Sequence, residues 1–384
     1  MTFLLSLSVS AINLDIALFY QDDITTAEVE ITSGTYRIKG DYDHLGKYTS
    51  GTLIRLSADN EQVVVTVADS VMGKYRAVAF RGERYMNNFR INPVRASLEE
   101  RFYDDDLKIT AQNGYLRMIN QVGLEKYIAG VVQSEGGGSS KNIDYYQVQA
   151  ITCRTFALNN VKKHKEEGFH MCDGVHCQVY KGRAVNSDIL MAVMRTSGEV
   201  IVDENNQMIL AAFHSNCGGQ TNNSEDVWSI PLSYLKSVSD TFCVHMPNAR
   251  WKFRISRKRW LDYLAETHHY DRDDAGALDS VLMFRQDERK KYLIKDIRLR
   301  AIRDDLGLAS AFFDIQVEQD SVVFTGKGYG HGVGLCQEGA MKMAQSGYSY
   351  DEIIRYYYYN VRIVNYHELP YLLEEFRKDS LIQF

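Results

Sequence analysis

The sequence predicts an α+β protein, in which a β-rich N-terminal part packs on a mixed α/β catalytic domain that carries a substrate groove. Short β-rich runs such as AEVEITSG and QVVVTVAD alternate with turn residues up to about residue 105. Two alternating apolar runs then flank Asn113-Gly114, which is typical of a β-hairpin. Beyond Leu124, apolar residues recur at three- and four-residue steps and indicate helices.

Composition limits the class of protein. The chain has 384 residues, of which 45% are hydrophobic, so it can bury a core in two or three domain-sized units. A formal net charge of -6 provides no sequence-wide basic surface, which argues against nucleic acid as the partner. No window reaches the roughly 20 apolar residues of a membrane-spanning helix, so no transmembrane segment is expected.

The first twenty residues read as folded protein. Leu5, Leu7 and Val9 alternate with serines, and a second alternating run follows a register slip near Ala11. A secretory signal needs a positive n-region, yet the first basic residue is Arg37. We therefore expect strands here, and no export signal is visible.

The expected organisation has three parts. Residues 1–104 form the β-rich domain, residues 105–365 form the catalytic domain, and residues 366–384 form a C-terminal tail. A helix followed by a charged loop, RWLDYLAETHHYDRDDAG, suggests a subdomain over about 240–320.

Two helices are predicted in succession. Apolar residues from Leu124 to Val132 form one stripe of a helix that ends at Glu135, where Gly136 can take the left-handed conformation. A longer helix, capped by Asn142, is expected to run as far as Gly168.

Glu135 is the candidate catalytic acid. A carboxylate at a helix C-terminus faces the negative end of the helix dipole, and partial burial acts in the same direction, so its pKa should be raised. A general acid that works near neutral pH needs a raised pKa. The glycines after it leave space for a bound polymer. The alternative is a solvated helix end that leads into a flexible loop.

Several ordered motifs resemble one known family. The chain contains LEKYIAGVVQSEGG, QVQAITCRTFAL, HKEEGFHMCDGVHCQVYKG, FHSNCGGQTNNSEDVW, YLKSVSD, LGLASAFFDI, GKGYGHGVGLCQEGA and YYYYNVRI in that order. Over about residues 105–365 it resembles the SpoIID/LytB family, named after stage II sporulation protein D and an amidase enhancer. The first hundred residues match only loosely.

The resemblance implies an activity on the bacterial cell wall. Sporulation members are lytic transglycosylases that cut peptide-free peptidoglycan strands, leaving 1,6-anhydro-N-acetylmuramic acid ends, with a glutamate at the position of Glu135 as the acid. One carboxyl group suffices when the sugar's own 6-hydroxyl attacks, since the same group donates and later accepts a proton. Catalysis would then need no cofactor, and the wall substrate implies a periplasmic or other extracytoplasmic location.

Two other functions compete with this one. The amidase-enhancer branch implies a non-catalytic peptidoglycan-binding module that activates a cell-wall amidase as its partner. A zinc hydrolase is the third option.

By resemblance, further residues contact the glycan. The expected substrate-binding residues are Arg154, Tyr234, Lys236, His331 and Gln337. Strand alternation would place Tyr234 and Lys236 on one face. The alternatives are a structural salt bridge for Arg154, an ordinary strand face for Tyr234 and Lys236, and a hydrogen-bonded turn histidine for His331.

A metal site is predicted between residues 164 and 177. Imidazole and thiolate ligands suit zinc, and some members of the family carry zinc here. The preferred set is His164, Cys172, His176 and Cys177, which would form a closed structural site, with His170 as a substitute for His164. A zinc-free loop and a Cys172–Cys177 disulfide are the alternatives.

Two further cysteines lie in motifs that are expected to converge on the groove. Cys217 and Cys336 are each expected to be a small buried hydrophobe or, as the alternative, a nucleophile with His214 or His331 as its base. The glycine-rich GYGHGVGLCQEGA lacks the Lys and Ser/Thr of a phosphate loop and the spacing of a dinucleotide fingerprint. Nucleotide binding is therefore excluded.

Overall fold

The computed structural model describes residues 12–83, 86–95, 97–136, 140, 142–271 and 275–372, and it confirms a mixed α+β protein. The chain divides into two compact units. The first comprises Met1–Glu199 and Asn365–Phe384, and the second comprises Val200–Val364.

The first unit begins with β-strands and continues with helices. Its strands are β1 (Asn13–Leu18), β2 (Thr26–Ser33), β3 (Thr35–Gly40), β4 (Asp43–Thr49), β5 (Leu53–Asp59), β6 (Gln62–Val67), β7 (Ser70–Tyr75), β8 (Ala77–Gly82), β9 (Asn88–Pro93), β10 (Arg101–Asp104), β11 (Asp106–Gln112), β12 (Tyr115–Gly123) and the short β13 (Met171–Cys172). Its helices are α1 (Leu124–Gly136), α2 (Ile143–Asn159) and α3 (Ser187–Arg195).

These strands form two sheets. One has seven strands in the order β13-β1-β12-β11-β8-β3-β4, and the other has six in the order β10-β9-β2-β5-β6-β7. The expected domain boundary after residue 104 falls inside this unit, where the chain leaves β10 in one sheet and enters β11 in the other. Because β11 pairs with β8, the seven-stranded sheet continues across that position.

Aromatic side chains fill the space between the sheets. Tyr36 of the seven-stranded sheet meets Phe89 of the six-stranded sheet edge to face, with ring centroids 6.1 Å apart. Tyr103 continues this row at 5.8 Å from Phe89, and Tyr180 lies 5.8 Å from Tyr103. Tyr127 of α1 then packs 5.0 Å from Tyr180. The row thus connects the sheets to the first helix.

The predicted hairpin is confirmed. Gln112 pairs with Tyr115, so β11 and β12 are joined by a two-residue turn. Asn113 and Gly114 take φ values of 53° and 80°, as a type I′ turn requires. The alternating run of residues 5–9 lies outside the described residues, whereas β1 confirms strand structure in the run that follows it.

The second predicted helix is shorter than expected. Asn142 caps α2 by accepting a hydrogen bond from the Asp144 N–H at 2.8 Å, as predicted. The helix ends at Asn159 and not at Gly168, because the Asn160 side chain donates to the carbonyl of Phe156 at 2.8 Å as the chain turns. Gly168, with φ 83°, ends a separate 3-10 turn.

The second unit has small sheets and several helices. Its strands are β14 (Glu199–Val202), β15 (Phe213–His214), β16 (Arg250–Ser256), β17 (Phe313–Glu318), β18 (Ser321–Lys327), β19 (Leu335–Cys336) and β20 (Arg362–Asn365), of which β14 and β20 meet the unit boundary. Its helices are α4 (Ser224–Val227), α5 (Arg257–His268), α6 (Ala275–Leu282), α7 (Leu299–Leu306), α8 (Gln337–Gln345) and α9 (Tyr350–Tyr357). The sheets are β16-β18-β17, the parallel pair β15-β19, and β14-β20.

A separate apolar core lies within the segment predicted as a subdomain. Trp260 of α5 is fully buried and packs edge to face on Phe324 of β18 at 5.2 Å. The Trp260 indole donates to the carbonyl of Val281 at 3.0 Å, which connects α5 to α6. Among the described helices, none has the length and apolarity of a membrane span.

Candidate functional site

Glu135 lies in the last turn of α1, one residue before the helix ends. The apolar stripe of α1 is buried as predicted, with Tyr127, Ile128 and Val131 fully covered. Gly130 is required on this face, because a β-carbon there would lie 2.3 Å from the carbonyl oxygen of Gly182. The close approach brings the segment of residues 179–186 beside the end of the helix.

Three consecutive side chains of α1 bind that segment. Glu135 Oε1 accepts a hydrogen bond from the Val179 N–H at 2.8 Å. Ser134 Oγ accepts from the Lys181 N–H at 2.9 Å, and Gln133 Oε1 accepts from the Val185 N–H at 2.8 Å. The carboxyl group of Glu135 is therefore held in a defined position.

The pKa of Glu135 is raised above the ordinary glutamate value. Burial is the main cause, and the hydrogen bond from Val179 opposes it. The cation that could have lowered this pKa, Arg154, is paired elsewhere. Gly136 lies in α1, whereas the glycines at positions 137 and 138 lie outside the described residues.

Arg154 belongs to a buried ion pair. Its side chain is 0% exposed and forms a bidentate pair with Glu125, with distances of 3.0 Å (Nε to Oε1) and 2.5 Å (Nη2 to Oε2). Nη1 also donates to the carbonyl of Glu199 at 3.0 Å. This arrangement matches the structural salt bridge considered for Arg154. A saccharide would reach the guanidinium only after this pair had rearranged.

The four preferred metal ligands lie together. The ligand atoms of His164, Cys172, His176 and Cys177 all lie within 4.8 Å of one another, and all but His176 are buried. Cys177 Sγ is 3.4 Å from His164 Nε2, and Cys172 Sγ is 3.9 Å from His176 Nδ1. All six cysteines are free thiols.

His164 is oriented for ligation by a neighbouring acid. Its Nδ1 lies 2.5 Å from Glu167 Oε1, which leaves Nε2 directed at the cluster. Glu167 also accepts a hydrogen bond from the Tyr20 hydroxyl at 2.7 Å, and its pKa is lowered mainly by the hydrogen bond with His164. His170, the predicted substitute, instead accepts a hydrogen bond from the Asp15 N–H at 2.8 Å through Nδ1.

This donor set fits zinc. Tetrahedral zinc with bonds of about 2.3 Å to sulfur and about 2.0 Å to nitrogen places neighbouring ligand atoms roughly 3.5 Å apart. The observed contact of 3.4 Å between Cys177 and His164 is close to this separation. A carboxylate that holds the remote histidine nitrogen is typical of zinc ligation. Glu167 could have been suspected from its position three residues after His164.

The remaining expected glycan contacts lie in the second unit. Tyr234 and Lys236 lie in a turn and a loop, so the expected strand is wrong. The half-buried Tyr234 hydroxyl accepts from the Leu210 N–H at 3.0 Å, which fixes the ring. The Tyr234 carbonyl accepts from the Tyr359 N–H at 3.0 Å, so it is bonded outside any sheet. Lys236 is exposed and pairs with Glu225 at 3.2 Å.

His331 and Gln337 flank a glycine-rich turn that leads into α8. His331 Nδ1 accepts a hydrogen bond from the Val333 N–H at 3.0 Å, and its ring packs on Trp228 at 5.2 Å. Burial lowers the pKa of His331 to about 4, so the imidazole is neutral near pH 7. Gln337 is buried as the first residue of α8.

Cys217 and Cys336 converge, but they are inaccessible. Both are 0% exposed, which excludes the nucleophile alternative for this conformation, because a buried thiol cannot reach a polymer. The sequence reading missed their two partners, Asp240 and Cys243, whose ligand atoms lie within 4.8 Å of both sulfurs. The spacing of three positions between Asp240 and Cys243 could have indicated a shared site in the sequence.

Comparisons with known proteins found one matching family model and several relatives. Residues 112–202, which contain α1, Glu135 and the His/Cys cluster, match the family model described as stage II sporulation protein. Stage II sporulation protein D of Bacillus subtilis is 30% identical over 264 residues, covering 64% of this chain and 75% of that protein.

Two other relatives extend the similarity. An uncharacterized protein of Brachyspira hyodysenteriae is 28% identical over 360 residues, covering 90% of this chain and 92% of that protein. The amidase enhancer of Bacillus subtilis is 25% identical, covering 92% of this chain and 58% of that protein. The ordered motifs and these relatives together show that the chain belongs to the SpoIID/LytB family.

Proposed function

We propose that the protein cleaves glycan strands of the bacterial cell wall as a lytic transglycosylase, with Glu135 as its acid. The observation that carries the proposal is the state of this carboxyl group, whose pKa is raised by burial while the Val179 N–H fixes its position. A raised pKa favours the protonated form that a general acid needs, and the fixed position of the carboxyl group orients its proton. The wall substrate would place the protein outside the cytoplasmic membrane.

The proposed reaction needs a single carboxyl group. Glu135 protonates the bridging oxygen between N-acetylmuramic acid and N-acetylglucosamine as the C1–O bond breaks. The resulting carboxylate then takes the proton of the muramic acid 6-hydroxyl, and that oxygen bonds to C1 to close the 1,6-anhydro ring. No water is consumed, and Glu135 ends protonated, as it began.

Residues of the second unit are proposed to contact the glycan. The exposed ammonium of Lys236 suits the lactyl carboxylate of muramic acid, although it must exchange its pairing with Glu225. Tyr234, whose hydroxyl accepts one hydrogen bond and can still donate, suits a sugar hydroxyl. His331 and Gln337 are also proposed to contact the glycan.

The test is Glu135→Gln, which keeps the shape of the side chain and its capacity to accept from Val179. On peptide-stripped glycan strands, we expect loss of turnover by about 10²–10⁴-fold, the usual contribution of a general acid. Mass spectrometry of wild-type products should show ends lighter by one water than hydrolytic ends. Glu266→Gln, at an exposed acid in the last turn of α5, is the matched control and should leave turnover unchanged. Full activity of Glu135→Gln would refute the proposal.

The pH profile gives a second test. Because the protonated form of Glu135 is the active one, the rate of glycan cleavage should fall as pH rises through its pKa. Since burial raises that pKa, the fall should occur above the range of an ordinary glutamate. A rate that instead rises over this range would contradict an acid role.

The second candidate function is activation of a cell-wall amidase. It is favoured by the similarity to the amidase enhancer, which covers 92% of this chain. In this case the protein binds peptidoglycan without cutting it. A purified amidase partner would then respond equally to wild-type protein and to Glu135→Gln, which separates the two functions.

We also propose that His164, Cys172, His176 and Cys177 hold a structural zinc ion. Four protein ligands close the coordination sphere, so this ion would stabilise the loop and would not activate water. A zinc hydrolase is therefore the weaker reading. Catalytic turnover that survives a chelator in folded protein would exclude it.

A further inference from the structure

Three cysteines and an aspartate meet inside the second unit. Cys217 follows β15, Asp240 and Cys243 precede β16, and Cys336 caps α8. All four residues are 0% exposed, and their ligand atoms lie within 4.8 Å of one another. Neither the proposed glycan chemistry nor the cluster at residues 164–177 uses them.

We propose that Cys217, Asp240, Cys243 and Cys336 bind a second metal ion, a structural zinc. Tetrahedral zinc places two thiolate sulfurs about 3.8 Å apart and a sulfur and a carboxylate oxygen about 3.5 Å apart. Cys217 Sγ lies 3.3 Å from Cys243 Sγ and 3.2 Å from Asp240 Oδ2. These two pairs of ligand atoms therefore need to separate by only about half an ångström to match the geometry of zinc.

Backbone groups around the four ligands can stabilise negative charge on the ligand atoms. Two backbone amides donate to Cys336 Sγ, the Cys217 N–H at 3.2 Å and the Gly339 N–H at 3.4 Å. Hydrogen bonds of this kind favour a thiolate over a thiol. They also fix the sulfur at the start of α8, where the helix dipole stabilises negative charge.

Asp240 is held in the same way by its own neighbours. Oδ1 accepts from the Phe242 N–H at 2.9 Å, and Oδ2 accepts from the Tyr357 hydroxyl at 2.9 Å. Ligating carboxylates are commonly oriented by such outer hydrogen bonds. A buried acid beside three buried thiols would otherwise be an expensive arrangement, which a divalent cation explains.

Arg289 carries a positive charge that can offset the negative charge of the proposed metal site. Three thiolates and a carboxylate around a divalent ion leave an excess of negative charge. The half-buried guanidinium of Arg289 donates to the carbonyl of Cys217 at 2.5 Å and to that of Gln220 at 2.6 Å. It is therefore well placed to offset that excess.

A disulfide between Cys217 and Cys243 is the competing state. It requires a sulfur–sulfur bond of about 2.05 Å and consumes only these two thiols. It would leave Cys336 and Asp240 with no shared role. The metal accounts for all four side chains.

The test is the zinc content of the purified full-length chain. The double variant Cys172→Ser/Cys177→Ser removes the first cluster, and it should retain one zinc ion per chain. Adding Cys336→Ser should remove that ion. Cys153→Ser is the matched control, because Cys153 is a buried cysteine of α2 outside both clusters, and it should leave the zinc content unchanged.

A conservative variant keeps the proposal testable if Cys336→Ser fails to fold. In the Cys172→Ser/Cys177→Ser background, Co²⁺ should give the near-ultraviolet thiolate charge-transfer band and the visible bands of a tetrahedral site. Tyr357→Phe removes only the hydrogen bond to Asp240 and should weaken Co²⁺ binding by about 10–100-fold. Folded double variant that contains no zinc and takes up no Co²⁺ would overturn the proposal, as would an intact mass showing a metal-free disulfide.

Discussion

The buried pair of Arg154 and Glu125 gives a quantitative prediction about stability. Arg154 is 0% exposed, whereas the Glu125 side chain is 33% exposed. Removing one partner of a buried ion pair costs about 3–5 kcal/mol, because the other charge is left without compensation. Glu125→Gln leaves the fully buried cation, so we expect a loss of about 4 kcal/mol in the free energy of unfolding.

Arg154→Met should cost less than Glu125→Gln. The remaining carboxylate of Glu125 can turn toward water, so we expect about 3 kcal/mol, the lower end of the range. In the Glu125→Gln/Arg154→Met double variant no charge is left uncompensated, so the loss should be smaller than that of Glu125→Gln alone and fall short of the sum by more than about 3 kcal/mol. Urea unfolding followed by circular dichroism measures all three values.

The same variants separate a structural role from a substrate contact. Arg154→Met that unfolds within about 1 kcal/mol of wild type, yet no longer binds glycan strands, would refute the structural assignment of Arg154. Additive losses in the double variant would refute the pairing itself.

Three further predictions concern the first unit. Gly130→Ala should lower the free energy of unfolding, measured in urea, by about 1–3 kcal/mol, because its β-carbon would lie 2.3 Å from the Gly182 carbonyl oxygen. Gly123→Ala is the control, because the nearest atom to its added β-carbon would be 3.6 Å away. Glu167→Gln should weaken zinc binding at His164 by about 10–100-fold in a competition titration, and an unchanged affinity would contradict its orienting role. Burial raises the pKa of Glu135, so ionisation of this carboxyl group destabilises the folded state. Glu135→Gln should therefore be more stable than wild type at pH 7 and lose that advantage as pH falls below the unfolded-state pKa. A stability advantage that grows on acidification would contradict the raised pKa.

Local patterns were enough to predict the elements that carry Glu135. The Asn113-Gly114 turn, the stripe of α1 and the Asn142 cap each depend on neighbours within a few residues, and each is confirmed. The approach of His164 to Cys177 is similarly local, because only thirteen positions separate them. Short-range chemistry of this kind can be read from a single chain.

Long-range partners could not be read in that way. Arg154 pairs with Glu125, which is 29 positions away, and neither sequence motif predicts this pairing. Alternation in its segment predicts a strand at Tyr234, but its hydroxyl accepts a hydrogen bond from the backbone N–H of Leu210, which comes 24 positions earlier. In both cases, contacts between residues distant in the chain determine the structure that is observed.

The start of the described chain has a consequence for the order of folding. β1 pairs in parallel with Met171–Cys172, and Asp173 accepts from the backbone N–H groups of Phe19 and Tyr20. These contacts join positions more than 150 residues apart, so they can close only after most of the unit has been synthesised. The Phe19 and Tyr20 amides should thus be among the last to gain protection from hydrogen exchange during refolding, and among the first to lose it when the neighbouring loop is loosened.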